Sequence, residues 1–204
     1  DASLSPFNDT SIISRVNRNE PVETDRWFEH VFNASQHIYT RTGGTFDPTV
    51  SSLVNAWGFG FKKGVIPDSV PEGKMWRVGV NRPTIADGEA GTIEEIVQIT
   101  DAGLATSGNY RNYRMVDGKR IAHTIDPVTG YPVQHTLLSA TVMAPDCMTA
   151  DAYATAFMVM GLERSKALVD SLPGVEALFL YQNGSDTTRI DYWATPGMRE
   201  KIER

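Results

Sequence analysis

Strands joined by short turns constrain the fold of this chain more than any other feature of its sequence. The segment Val116–Lys119 has Asp-Gly at its centre, which predicts a two-residue hairpin turn. Glu176–Tyr181 and Thr188–Trp193 flank an Asn-Gly pair and predict a second hairpin. Helical segments lie between the strands without the regular strand–helix alternation of a parallel sheet. We therefore predict an α+β fold with mainly antiparallel sheets and flanking helices.

Periodicity and turn residues predict the remaining elements. A helix capped by Thr24 or Asp25 ends at Gly43-Gly44. Two later helices are predicted, one opened by Thr149 or Asp151 and closed by Gly161, the other over Glu163–Leu172. Strands are predicted at Met75–Val80, at Ile93–Ile99, at Leu104–Thr106 as a continuation of the same sheet, and at Leu137–Met143.

Composition excludes several classes of protein. The 204 residues carry a formal net charge of −6 at pH 7, which argues against nonspecific nucleic-acid binding. No stretch of the sequence approaches the length of a membrane-spanning segment. The single cysteine, Cys147, excludes an internal disulfide and a cysteine-based zinc site. The length suits one domain with a substantial core, or two small domains.

The segment Ala122–Pro132 combines a proton-transfer group with residues that fix the backbone. His123 can exchange a proton near neutral pH. Asp-Pro and Gly-Tyr-Pro within the segment are turn residues. A lone histidine is by default structural, but a reactive side chain on a stiffened loop is a common way to build a site. The segment is therefore the first candidate for function.

Asp151 and Thr155 form a second candidate, because positions i and i+4 lie on one face of a helix. A carboxylate and a hydroxyl are hard oxygen donors that suit Mg²⁺. The structural alternative is an aspartate at a helix N-terminus with the threonine hydroxyl bonded back to the helix. From the residues alone, the structural alternative is favoured.

Three weaker candidates surround these two. The polar turn Thr106–Tyr110 fits either backbone binding of a phosphate or polar ring, or an ordinary turn, about equally. Asp47 could accept a hydrogen bond from a ligand or cap a turn. The glycine-rich segment Gly58–Gly64 lacks the spacing of nucleotide-binding loops and is interpreted as an aromatic loop packed on the core.

Several segments, in order and spacing, resemble the ApbE family of FAD:protein FMN transferases, and the resemblance covers nearly the whole chain. The matching segments are Asp1–Phe7 with Asn17, Thr42–Val50 continuing to Gly60, Trp76–Val80, Ala105–Arg111, His123–Pro132 and Thr149–Ala156.

This resemblance implies a T-fold-like α+β domain and a Mg²⁺-dependent enzyme that uses FAD as its substrate. The FMN phosphoryl group would move to a threonine of a target flavoprotein, a subunit of a respiratory ion-pumping complex, with release of AMP. Family members are usually exported, so the resemblance implies a periplasmic protein or a lipoprotein attached to the membrane by a lipid anchor outside this chain. Hydrolysis of FAD to FMN and AMP, and noncatalytic binding of FAD, remain alternatives.

The resemblance also implies roles for individual residues. His123 matches the histidine proposed to assist the transfer, and Asp151 and Thr155 match metal-binding positions. The positions implied to contact FAD are Thr45, Phe46, Asp47, Ile125 and the aromatic Phe7, with Ser107 and Asn109 expected to line the same cavity.

Two departures from the family pattern accompany these matches. Ala154 stands where some members carry a second aspartate, so metal binding would lean on fewer protein donors. A middle segment of the family is absent at about Val70–Pro71, where a helix start is followed at once by a proline. We predict a single domain over residues 1–204 that lacks this segment and the family's first strand. A Cα–Cα distance well above about 3.8 Å across Val70–Pro71 would indicate omitted residues.

Overall fold

A four-stranded antiparallel sheet forms the centre of the fold. The structure, a computed structural model, describes residues 2–47, 75–83, 93–109, 113–116, 119–184, 186 and 189–203. Its strands are β1 (Trp76–Asn81), β2 (Ile93–Ile99), β3 (Gly103–Gly108), β4 (Tyr113–Val116), β5 (Lys119–Ala122), β6 (Leu137–Ala144), β7 (Glu176–Gln182) and β8 (Ile190–Ala194). Its helices are α1 (Ile12–Asn17), α2 (Arg26–Arg41), α3 (Cys147–Met160), α4 (Leu162–Val169) and α5 (Pro196–Lys201).

The strand order of the central sheet is β3-β6-β7-β8, and all its neighbouring strands are antiparallel. The pairs β1–β2 and β4–β5 form separate antiparallel ladders. Together with the flanking helices, this arrangement confirms the predicted α+β class. Among the described residues, no helix combines the length and the apolar character needed to cross a membrane.

The two faces of the central sheet are covered by different elements. Side chains alternate along a strand, so Phe179 of β7 packs toward α3 while its neighbour Leu180 packs toward the other face. Phe157 of α3 contacts Phe179 edge to face, with ring centroids 5.3 Å apart. On the second face, Leu180 packs in a cluster with Val97 of β2 and Met198 of α5. Full burial of each such side chain contributes about 1.5–3 kcal/mol.

Several predicted elements are confirmed. Asp25 caps α2 by accepting hydrogen bonds from the backbone N–H groups of Trp27 and Phe28, and two glycines with φ of 60° and 81° follow the helix. Val116 pairs directly with Lys119, as a two-residue hairpin requires. The predicted strands within 75–81, 93–99, 137–144 and 176–182 are all present.

Three predicted details are wrong. Helix α3 begins at Cys147 and is capped by Asp146, so neither Thr149 nor Asp151 opens it. Helix α4 ends at Val169, earlier than the predicted Leu172. Strand β3 does not continue the sheet of β2, because the chain turns at Asp101, which has a φ of 51°, and β3 pairs with β6 instead.

The predictions that concern residues 48–74 lie outside the described residues. They include the Gly58–Gly64 loop and the break at Val70–Pro71. The single-domain organisation with a missing middle segment therefore stays a prediction.

A charged clamp fastens the C-terminal residues to the β1–β2 hairpin. The Arg77 guanidinium donates two hydrogen bonds of 2.6 Å to the Glu203 carboxylate, and Gln98 Nε2 donates a third of 2.8 Å. These bonds, first from Arg77 and then from Gln98, lower the pKa of Glu203 to about 2. Ile202 forms an isolated bridge with Val97 beside the clamp.

Glu203→Gln is expected to lower the melting temperature at neutral pH, because it removes an ionised acceptor of three hydrogen bonds. The native pKa of about 2 is lower than the value of about 4.3 in an unfolded chain. The stabilisation is therefore fully present above about pH 5, beyond the unfolded pKa, and is lost as the pH falls toward about 2. Thermal unfolding of the variant and of wild type across this range tests the prediction. Glu200→Gln, at an exposed position of α5, is the matched control. A difference in melting temperature between Glu203→Gln and wild type that does not change with pH would contradict the prediction.

The start of β3 lies directly against the start of α3. A Cβ atom added to Gly103 would stand 2.3 Å from the carbonyl carbon of Asp146 and 2.3 Å from the backbone nitrogen of Cys147. Such distances are far below van der Waals contact, and both neighbours are backbone atoms. Only glycine at this position therefore allows the N-terminal turn of α3 to approach β3 this closely.

Gly103→Ala is expected to lower the free energy of unfolding by about 1–3 kcal/mol, the range of overpacked cores. The strain would fall on the cap of α3 and so on the helix that carries Asp151. Gly184→Ala is the matched control, because a Cβ at Gly184 would meet nothing within 4 Å. Urea denaturation of both variants measures the free energy of unfolding. Equal values for the two variants would show that β3 and α3 can move apart without loss of stability.

Candidate functional site

Helix α3 places Asp151 and Thr155 on one face, one turn apart. The helix begins at Cys147, so Asp151 is already in its second turn. Asp146 occupies the cap and accepts 2.8 Å hydrogen bonds from the backbone N–H and the hydroxyl of Thr149. Asp151 is therefore not the capping aspartate of the structural alternative. Its side chain is exposed and Thr155 is half-buried.

Strand β3 brings Ser107 against Thr155. The two hydroxyl oxygens, Oγ of Ser107 and Oγ1 of Thr155, lie 3.2 Å apart and form a hydrogen bond. Side-chain alternation explains the contact, since Ala105 of the same strand face packs in the core beneath the helices. A residue expected to line the cavity and a residue expected to bind metal thus meet across a sequence separation of 48 positions.

The electrostatics of Asp151 suit a cation. Loss of hydration raises the pKa of its carboxyl group, although the side chain is open to solvent on one side. Among the described residues, no positive charge contributes to that shift. The ionised carboxylate is therefore less stable here than in water, and a bound cation would favour it.

Asp151, Thr155 and Ser107 are all oxygen donors, and this donor set fits Mg²⁺ rather than a soft metal. Within the described part of the chain, no group of three or more His, Cys, Asp or Glu side chains forms a metal cage. Ala154 is fully buried in the core beneath α3 and adds no donor. A magnesium ion here would keep water or substrate phosphate as further ligands.

The predicted loop is stiff, and Ile125 anchors it. Ile125 is buried and forms an isolated bridge with Pro132. The Asp126 N–H donates to the Tyr131 carbonyl at 2.9 Å, and the Gly130 N–H donates to the Asp126 carbonyl at 2.7 Å. Gly130 has a φ of 76°, which glycine adopts readily. His123, half-buried, lies two residues before the bridge that closes this turn.

Asn109 joins the loop to the end of β3. The Thr124 hydroxyl donates to Oδ1 of Asn109 at 2.5 Å, and the Asn109 N–H donates to the Leu138 carbonyl at 3.0 Å. Ser107 and Asn109 are two positions apart, which is about 7 Å along an extended chain. Thr155 of α3 is thus bonded to Ser107, near the end of β3. Thr124, the residue after His123, is bonded to Asn109, which directly follows β3.

The other predicted FAD contacts lie in separate segments. Thr45 is buried and its hydroxyl donates to the Thr42 carbonyl at 2.9 Å. Phe46 donates its N–H to the Thr42 hydroxyl at 3.1 Å and packs against the core beneath α3. Asp47 is half-buried beside it, whereas Phe7 is 81% exposed in the N-terminal segment. Hydrogen bonds thus connect Ser107 and Asn109 to the candidate site, while Thr45 bonds within its own turn.

Two contributors lay outside the predicted site residues. Asp146 carried a sequence signal, since aspartate is a preferred N-cap residue directly before a helix. No local sequence signal identifies Thr124, because its partner lies 15 positions earlier in the chain.

Comparison with known proteins assigns the chain to a family. The ApbE family model matches residues 1–71 and 63–179. The chain belongs to the ApbE family. Structures of other members show the same fold: ApbE from Vibrio cholerae has a TM-score of 0.76 at 24% identity, covering 98% of this chain and 85% of that one. The ApbE protein of Thermotoga maritima also has a TM-score of 0.76, at 21% identity, with 100% and 87% coverage.

Curated ApbE relatives cover this chain only in part. The relative from Escherichia coli K12, named FAD:protein FMN transferase, is 40% identical over 125 residues, 61% of this chain and 34% of its own length. The relative from Treponema pallidum, with the same name, is 37% identical over 151 residues, 74% of this chain and 41% of its own. The chain thus spans between a third and about two fifths of these relatives.

Proposed function

We propose that this chain is a Mg²⁺-dependent FAD:protein FMN transferase. One observation carries the proposal: β3 and the residue after it connect the loop of His123 with the helix face of Asp151 and Thr155. The residue after His123 and one member of the candidate metal pair are thereby bonded to positions two apart in the chain. This supports a shared site for a base and a metal, as transfer of a phosphoryl group to a hydroxyl requires. The names of the curated relatives support the choice of FAD as donor.

In the proposed reaction, the hydroxyl oxygen of an acceptor threonine attacks the phosphorus on the FMN side of the FAD diphosphate. A new phosphoester bond joins threonine to FMN, the bond between that phosphorus and the bridging oxygen breaks, and AMP leaves. The imidazole of His123 takes the threonine proton. The stiff loop that follows His123 limits the positions of the imidazole and so favours a productive geometry.

Asp151 and Thr155 would hold the metal, and Ser107 would orient the Thr155 hydroxyl. Mg²⁺, when bound, would neutralise charge on the diphosphate. Because Ala154 supplies no oxygen from its side chain, the remaining ligands would be a backbone carbonyl, the phosphates and water. The flavin would contact Thr45, Phe46, Asp47, Ile125 and Phe7, with Ser107 and Asn109 in the same cavity, as the family resemblance suggests.

The partner and the location are proposed from the family resemblance. The acceptor would be a flavoprotein subunit of a respiratory ion-pumping complex. The protein would act outside the cytoplasm, as a periplasmic protein or a lipoprotein held by a lipid anchor outside this chain. The formal net charge of −6 agrees with the proposal that nucleic acid is not a partner.

One experiment tests the proposal. The protein is incubated with FAD and MgCl₂, with and without a purified flavoprotein domain that contains the acceptor threonine. AMP release is measured together with covalent flavin fluorescence of the domain after denaturing electrophoresis. AMP together with a fluorescent domain supports transfer. AMP alone would indicate FAD hydrolysis, and neither product would indicate noncatalytic binding, so both results would refute the proposed function.

A further inference from the structure

The tip of the His123 loop presents two large apolar side chains to solvent. We define the loop tip as residues 127–131. Within it, the side chains of Val128 and Tyr131 are 73% and 68% exposed. Single exposed apolar side chains are ordinary on protein surfaces. Two on one short turn, in the loop that carries the candidate base, are a more specific feature.

The loop tip is held in place by its own hydrogen bonds. The Val128 N–H donates to Oδ1 of Asp126 at 2.9 Å, and the Tyr131 N–H donates to the Thr129 hydroxyl at 3.4 Å. The Asp126 carbonyl accepts a third bond from Gly130. The exposed side chains therefore project from an ordered backbone, and a partner that binds them would not need to order the turn.

The position of the loop tip relates it to the reaction. The bridge between Ile125 and Pro132 closes the loop, and His123 lies two residues before that bridge. Residues 126–131 form the turn beyond the bridge, and the hydrogen bond from the Gly130 N–H to the Asp126 carbonyl keeps that turn short. The loop tip therefore stays close to the bridge that His123 precedes.

We propose that the loop tip docks the acceptor protein by contacting an apolar side chain close in sequence to the acceptor threonine. This inference rests on the proposed transferase function, which requires a protein substrate to approach His123. A small ligand such as FAD is mostly enclosed in a cleft, whereas these two side chains project outward. Exposed apolar side chains on an ordered turn suit contact with the surface of a protein partner, as apolar and aromatic anchors do in other interfaces.

Val128→Glu combined with Tyr131→Glu tests the inference. The substitutions leave the backbone donors of the turn in place. The matched control is Tyr192→Glu, because Tyr192 is 55% exposed on β8, at the opposite edge of the central sheet from β3. Val128→Ser combined with Tyr131→Ser provides a second, uncharged variant should the charged one unfold, and circular dichroism checks the fold of each protein.

The two readouts are kcat/KM for transfer to the acceptor domain and the dissociation constant of FAD, measured by flavin fluorescence titration without that domain. We expect the double variant to lose about tenfold or more in kcat/KM, mainly through the KM for the acceptor domain, with FAD affinity within about twofold of wild type. The inference is overturned if kcat/KM falls no further than in the Tyr192→Glu control. It is also overturned if FAD affinity falls in proportion, since the tip would then serve the FAD site. Failure of wild type to label the domain would instead refute the proposed function itself.

Discussion

His123→Ala is expected to lower the rate of FMN transfer by about 10²–10⁴-fold, the usual contribution of a positioned general base. The acceptor hydroxyl would have to lose its proton without a group to receive it. FAD affinity should change little, because the imidazole acts on the acceptor rather than on the flavin. Single-turnover transfer assays measure the rate, and flavin fluorescence titration measures the affinity.

The same measurements on His30→Ala and His37→Ala provide the matched control, because both histidines are exposed on α2. These variants should retain transfer. Transfer by His123→Ala at the wild-type rate would remove His123 from the reaction. Loss of FAD binding in parallel with transfer would assign it to the ligand site instead.

The parts of the site that could be predicted from sequence are those encoded by local residues. The turn after His123 follows from its proline and glycine residues, and the hydrogen bonds around Gly130 confirm its stiffness. The shared face of Asp151 and Thr155 follows from helical periodicity alone. From the residues alone the structural alternative was favoured for that pair, because whether Asp151 caps the helix depends on where the helix begins.

The contacts between segments could not be predicted, because they depend on strand pairing. Residue spacing carries no information that Ser107 would meet Thr155, 48 positions later, or that Asn109 would accept a hydrogen bond from Thr124. Both contacts follow from the pairing of β3 with β6 rather than β2. That choice was predicted incorrectly, because two adjacent strands joined by a turn usually share a sheet. Local sequence propensities thus predict most of the helices and strands. The contacts of Ser107 and Asn109 in the candidate site depend instead on the strand with which β3 pairs.

Asp151→Asn is expected to abolish Mg²⁺ binding in the presence of FAD and to reduce transfer about as severely as His123→Ala. The amide keeps the shape of the side chain but removes the charge that a hard cation requires. Isothermal titration of MgCl₂ into the FAD complex measures the binding. Asp170→Asn, at an exposed aspartate after α4, is the control that should bind normally. Unchanged magnesium affinity in Asp151→Asn would place the metal elsewhere.

The stability of the same variant should move in the opposite direction when no metal is present. Loss of hydration raises the pKa of Asp151 above its unfolded value of about 3.9. Between these two pKa values the native state binds more protons than the unfolded state, so the stability of wild type falls as the pH rises through that window. At pH 7 the ionised carboxylate therefore destabilises the metal-free protein, and asparagine should raise its melting temperature. Adding MgCl₂ in the presence of FAD should then raise the melting temperature of wild type by mass action. The melting temperature of Asp151→Asn should hardly respond to MgCl₂. A metal-free variant less stable than wild type would mean that the carboxylate serves the fold, because a group kept for binding a cation should cost stability until the cation arrives.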